Sequence, residues 1–84
     1  MNELEKLRSE IEIVDEKMKK LFLERMSIIL GIKKYKDEHN TLYYDKERED
    51  YLKSKYSSDI SIFKDEYLKF LDDIFEISKE LMVK

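Results

Sequence analysis

From Leu4 onward the apolar residues of this chain recur at Leu4, Leu7, Ile11, Val14, Met18 and Leu21, in steps of 3, 4, 3, 4 and 3. The next step falls on Arg25, after which Ile28, Ile32 and Tyr35 continue the series. Alternating steps of three and four put every member on one stripe of an α-helix, and so narrow a stripe is the seam of a coiled coil. The chain has no proline and its only glycine is Gly31, so nothing breaks the pattern. The spacing predicts one helix from about residue 3 to 38, ~54 Å long at ~1.5 Å per residue. A compact globule of this chain length has a radius of gyration of ~12 Å and a diameter of roughly 30 Å. The helix therefore overhangs such a globule by about a third of its length or more, and the seam runs into the overhang. A second copy of the chain is the simplest cover, in a two-fold, intertwined homodimer.

Residues 37–44, DEHNTLYY, interrupt the period with Asp, His, Asn and Thr and read as a loop. Asp45 fits an N-cap, and DKEREDYLKSKY predicts a short helix over about 45–55. SSDIS at 57–61 reads as the next break, with Ser and Asp supplying caps. A third helix is expected over about 61–82, with Phe63, Tyr67, Phe70, Leu71, Ile74, Phe75, Ile77, Leu81 and Met82 as its apolar set. The expectation is an all-α protein of three helices, long, short and long, forming a single domain over residues 1–84.

Composition narrows what such a bundle does. The chain has no Cys, which removes disulfides and thiolate metal sites and fits a cytoplasmic protein. No run of ~18 apolar residues exists, so no transmembrane helix is expected. The opening MNELEKLRSE is charged throughout and does not read as a signal peptide. Charged residues make up 44% of the chain with a net charge of −3, which argues against a general nucleic-acid binder. Any anion site must therefore be local.

Arg25 and Lys36 are the conspicuous candidates. Eleven residues apart, they differ by only ~20° around a helix axis, so Arg25, Ile29, Ile32 and Lys36 share one stripe. The ordinary explanation is snorkelling, with stems on apolar surface and charged heads in water; periodicity alone favours it. The alternative is that both heads meet a buried anion, because an unpaired buried cation is costly and a guanidinium fork suits carboxylate or phosphate. Arg8 lies ~100° around the axis and ~25 Å along it from Arg25, so one small ligand cannot touch both within a chain. Taken alone it is a solvated charge; in an antiparallel or intertwined dimer the partner's Arg8 can reach Arg25.

The remaining polar residues are ordinary one by one. Asp45, Arg48 and Glu49 face one way at i, i+3 and i+4 and read as a surface ion-pair cluster. Ser78 and Met82 are one turn apart on the third helix, a face with a core methionine. His39 reads as a solvated loop residue, and Tyr43 and Tyr44 as packing residues. No Gly-rich phosphate loop, Ser-His-Asp order or His/Asp/Glu metal spacing stands out.

Taken in order, these segments resemble the AroQ class of chorismate mutases. The family's opening leucine-arginine and apolar-acidic heptads are matched by LRSEIEIVDEKM at 7–18, and its LxxER segment with a lysine eleven residues on by LFLERMSIILGIKKYK, carrying Arg25 and Lys36. Its Asp-x-x-Arg-Glu motif is matched by DKERE, carrying Asp45, Arg48 and Glu49, and its closing serine by SKELM, carrying Ser78 and Met82. The resemblance implies an intertwined homodimer that rearranges chorismate, a dicarboxylate, to prephenate on the branch toward Phe and Tyr, with no cofactor, nucleic-acid or membrane partner. By that analogy Arg25 and the partner's Arg8 hold the carboxylates, and Lys36 donates to the ether oxygen. Glu49 accepts from the ring hydroxyl, Arg48, Ser78 and Asp45 complete the polar wall, and Ile32 and Leu52 furnish apolar walls. The rearrangement is intramolecular and needs no nucleophile. The protein has only to hold a compact conformer and stabilise developing charge.

The chain departs from the family pattern at Met82, where members carry Gln, or Glu in some branches, as a second donor to the ether oxygen. A thioether cannot donate. The departure implies a slowed mutase or one resting on Lys36 alone, and leaves open an isochorismate-pyruvate lyase or a non-catalytic helical dimer or regulatory module on the same fold.

Overall fold

The computed structural model describes residues 2–42 and 44–83; Tyr43, expected to pack, lies outside the described residues. The chain forms α1 (Glu3–His39), α2 (Lys46–Ser57) and α3 (Lys64–Met82), with no strand among the described residues.

The heptad period becomes α1 along its whole length. Asn2 caps its start, its side chain accepting from the Glu5 N–H at 2.8 Å, and Glu3 and Glu5 in the first turn complement the positive end of the helix dipole. At the far end Asn40 takes a left-handed conformation (φ 53°), which asparagine tolerates better than most residues. The Lys36 carbonyl accepts from the N–H groups of Asn40 and Thr41 there. The helix runs to His39, one residue past the expected end near 38, and His39, expected in the loop, completes it. Lys33 and Asp37 pair one turn apart at 3.2 Å. The His39 ring stacks on Tyr35 with centroids 3.9 Å apart, and its Nδ1 donates to the Tyr35 carbonyl at 2.8 Å. His39 is exposed but not idle, since it ties down the last turn.

Asp45 caps α2 as its sequence position suggested, accepting from the Arg48 N–H at 3.0 Å. The expected break at 57–61 is placed differently. Ser57 stays in α2, buried, with its hydroxyl donating back to the Lys53 carbonyl at 2.7 Å. No side chain of that segment caps α3, which starts at Lys64 rather than near 61. Its N-cap is Phe63, left-handed at φ 60° and with no side-chain cap, whose carbonyl accepts from the Tyr67 N–H at 2.9 Å. Asp65 and Glu66 in the first turn supply the negative charge that a capping side chain would otherwise have brought.

α3 packs against both α1 and α2, and a Lys53–Asp72 ion pair also ties α2 to it. The buried apolar side chains are few: Ile29 from α1 and Leu71, Phe75 and Met82 from α3. The molecule measures 56 × 26 × 16 Å. Its radius of gyration, 16.4 Å, exceeds the ~12 Å of a compact chain of this length. The α1 seam is about half-exposed along its length, with Leu7 50%, Ile11 59%, Leu21 61% and Ile28 64% exposed.

A left-handed, 72%-exposed Phe63 is a local defect. The conformation costs a side-chain-bearing residue ~1–2 kcal/mol, against ~0.5–1 kcal/mol for the extra freedom glycine loses on folding. Phe63→Gly should therefore raise stability by roughly 0.5–1 kcal/mol, seen as a higher urea midpoint with an unchanged slope.

Candidate active site

One cleft of about 280 Å³ opens where the C-terminal half of α1, one face of α2 and the last turns of α3 converge. Each helix contributes by its period. α1 supplies Arg25, Ile28, Ile29, Ile32 and Lys36; α2 with its cap supplies Asp45, Arg48, Glu49, Leu52 and Tyr56; α3 supplies Phe75, Ser78, Lys79 and Met82. The i, i+3, i+4, i+7 spacing of the α3 set is the repeat of a single helix face.

Arg25 is the best-anchored cation. Its Nη1 donates to the Ser78 hydroxyl, which in turn donates to the Ile74 carbonyl at 2.9 Å. Its guanidinium carbon lies 5.7 Å from the centre of the Phe75 ring, within cation–π range. Burial holds the Arg25 guanidinium below its ordinary pKa, offset in part by Tyr56. An arginine stays protonated through such a shift. The result is a fixed, partly desolvated positive charge with its fork restrained by α3.

Across the cleft, Arg48 sits over Tyr51, 5.4 Å from guanidinium carbon to ring centre. Its backbone N–H is the one that Asp45 caps. Glu49 is mostly buried and faces Lys79, whose Nζ is 4.0 Å from its Oε2. Lys36 reaches the cleft from the last turn of α1. Four cations and two carboxylates line the space, a local excess of two positive charges in a chain of net charge −3. The walls between them are apolar. Such a space suits a small dianion with a hydrocarbon body.

The model of the chorismate mutase type II family matches residues 7–83. The chain belongs to this family. No curated protein and no solved structure matches it. Type II chorismate mutases are isomerases that convert chorismate to prephenate, and that is the activity of this chain. Of the residues that the sequence singled out for a mutase, the cleft gathers Arg25, Ile32, Lys36, Asp45, Arg48, Glu49, Leu52, Ser78 and Met82. Arg8 is not among them; it is exposed on the N-terminal half of α1, ~25 Å along the helix from Arg25.

Sequence reasoning missed Ile28, Ile29, Tyr56, Phe75 and Lys79 as parts of the mutase site. Lys79 had a signal, standing four residues after Phe75 and three before Met82 on the face that also carries Ser78. Tyr56 had none, because its place depends on how α2 leans on α3.

Asp45 serves the helix start and the cleft at once, and two substitutions separate those duties. Asn caps as well as Asp, so Asp45→Asn should keep the thermal midpoint while changing the cleft's charge. Asp45→Ala should lose about 1 kcal/mol of stability in a urea melt.

Proposed function

We propose that the cleft holds chorismate as a dianion in its compact conformer and speeds its rearrangement by stabilising negative charge at the breaking C–O bond. The observation that carries this reading is the excess of positive charge against apolar walls in a chain that is negative overall. In the reaction one C–O bond breaks as one C–C bond forms, and no atom enters or leaves. Catalysis then reduces to conformer restriction and preplaced donors. Arg25, restrained by Ser78 and Phe75, holds one carboxylate. Lys36 donates to the ether oxygen, and Glu49 accepts from the ring hydroxyl. Arg48, Ser78 and Asp45 form the rest of the polar wall, and Ile32 and Leu52 pack on the ring faces. The same reading sets the protein in the cytoplasm, on the branch toward Phe and Tyr. None of the described helices is long and apolar enough to cross a membrane.

The site takes its last cation from a second copy. The seam Leu4, Leu7, Ile11, Val14, Met18, Leu21, Arg25, Ile28 is spaced symmetrically about position 16. Antiparallel pairing of two α1 helices at that point opposes Leu4 to the partner's Ile28, Leu7 to the partner's Arg25, Ile11 to the partner's Leu21 and Val14 to the partner's Met18. Arg8, next to Leu7, then arrives beside the other subunit's cleft. An apolar groove of about 670 Å³, lined in part by Met18, Leu21, Phe22, Phe70 and Ile74, shares Arg25, Leu52, Tyr56 and Phe75 with the cleft. It supports a helix docking there. Covering each half-exposed apolar side chain of the seam is worth on the order of 1 kcal/mol.

A complementation experiment tests the shared site. Arg8→Ala and Arg25→Ala should each be inactive as homodimers. Mixed and allowed to exchange, they form heterodimers in which one site keeps both arginines, and activity should return to about a quarter of wild type. No recovery, despite exchange confirmed by mass spectrometry, would refute a shared site.

Met82 bounds the rate. It is buried in the cleft wall and has no N–H or O–H to offer. One oxyanion-type donor is worth ~10²–10³ in rate in a well-studied protease. Met82→Gln should therefore raise kcat, by up to about 10²-fold. An unchanged kcat would mean that this side chain does not face the breaking bond.

A further inference from the structure

Lys79 is the one charged residue on the α3 face that lines the cleft. Its side chain leans off α3 toward α2 and the connection between α1 and α2. Nζ lies 3.2 Å from Glu76 Oε2, 4.0 Å from Glu49 Oε2 and 4.4 Å from the centre of the Tyr44 ring. It thus stands at the rim, under an aromatic ring, between a carboxylate of the cleft and one of the outer surface.

Neither carboxylate holds it firmly. Glu76 is 61% exposed, and an exposed ion pair three residues apart on a helix contributes little. Glu49 at 4.0 Å is beyond hydrogen-bond length. An ammonium carries three N–H donors on a flexible stem and reorients at small cost. The charge balance indicates what it would turn toward. Asp45 already accepts from the α2 backbone. Within the chain itself, the cleft has an excess of one positive charge without Lys79 and of two with it, before the proposed Arg8 of the partner is added.

We propose that Lys79 is a substrate-binding residue: when a dicarboxylate enters, the ammonium leaves Glu76 for a carboxylate of the ligand and sets the cleft's preference for dianions over monoanions. This rests on the mutase reading of the cleft. The Glu76 hydrogen bond, aided by the charges of Glu49 and Glu76 against a desolvation penalty, holds the Lys79 pKa above its ordinary value. The group is therefore a cation throughout the neutral range. Tyr44 accommodates the movement, since a ring face attracts a cation without fixing its direction.

The test is steady-state kinetics with chorismate on wild type, Lys79→Met and Lys79→Arg, at low and high salt, with helical content and melting followed by circular dichroism. Lys79→Met should raise KM about tenfold with kcat within about twofold, the pattern of an interaction shared by ground and transition states. It should also flatten the salt dependence of kcat/KM. Lys79→Arg should bring KM back to within about threefold of wild type, because the charge returns on a stem of similar reach. Should the Met variant not fold, Lys79→Gln makes the same comparison. An unchanged KM would overturn the proposal, as would a fall in kcat at constant KM, which would make Lys79 a support for Glu49 instead. Wild-type protein without turnover would overturn the mutase reading and this inference together. Wild-type turnover with an indifferent Lys79→Met would overturn only the role of Lys79.

Discussion

A helix of 37 residues cannot be covered by one of 12 and one of 19 folded back along it. That mismatch governs the rest of the molecule. α2 and α3 cover only part of α1, so few side chains are buried, and the cleft and the adjoining apolar groove both form where the three helices converge. The seam of α1 keeps its apolar period beyond that junction, with its side chains about half-exposed. A small core of this kind supplies little stability alone. In the proposed dimer, the exposed seam and the cation Arg8 lie on the same stretch of helix.

At the covered end, the structure joins opposite requirements. Apolar walls lower the local dielectric and strengthen every charge interaction within, but they also penalise the charges themselves. Arg25 shows the compromise. Its guanidinium loses water, which lowers its pKa, and gains a hydroxyl acceptor and an aromatic face from α3. Ser78 is spared the usual cost of a buried hydroxyl because it accepts from Arg25 while donating to Ile74. Donors held in this way need not reorganise as charge shifts within a substrate.

How much of this was legible in the sequence depended on the range of the interaction. α1 was legible nearly end to end, because a seam is a local period. Asp45 was legible as a cap because N-caps act over three residues. The start of α3 was not: Ser57, Ser58, Asp59 and Ser61 all look like caps, yet Ser57 turns back into α2 and a left-handed Phe63 opens α3. His39 looked like a loop residue, and only the stack on Tyr35 shows why the helix continues to it. Arg25 on its own periodicity read as snorkelling; its partner Ser78 lies 53 residues away, a contact no local pattern reveals. The place of Lys79 on the cleft face follows from the period of α3, but its nearness to Glu49 and Tyr44 does not, since only the fold brings those segments near.

The end of α1 carries one more consequence. Lys36 belongs to the cleft, and its carbonyl is gripped by the N–H groups of both Asn40 and Thr41. The backbone beneath the ammonium is therefore immobilised by the stop signal of the helix itself. The backbone share of the configurational entropy of placing that lysine is surrendered once, when the chain folds, and not again at each encounter with a substrate. A left-handed asparagine whose evident task is to end a helix thus also limits how far the donor nearest to it can wander.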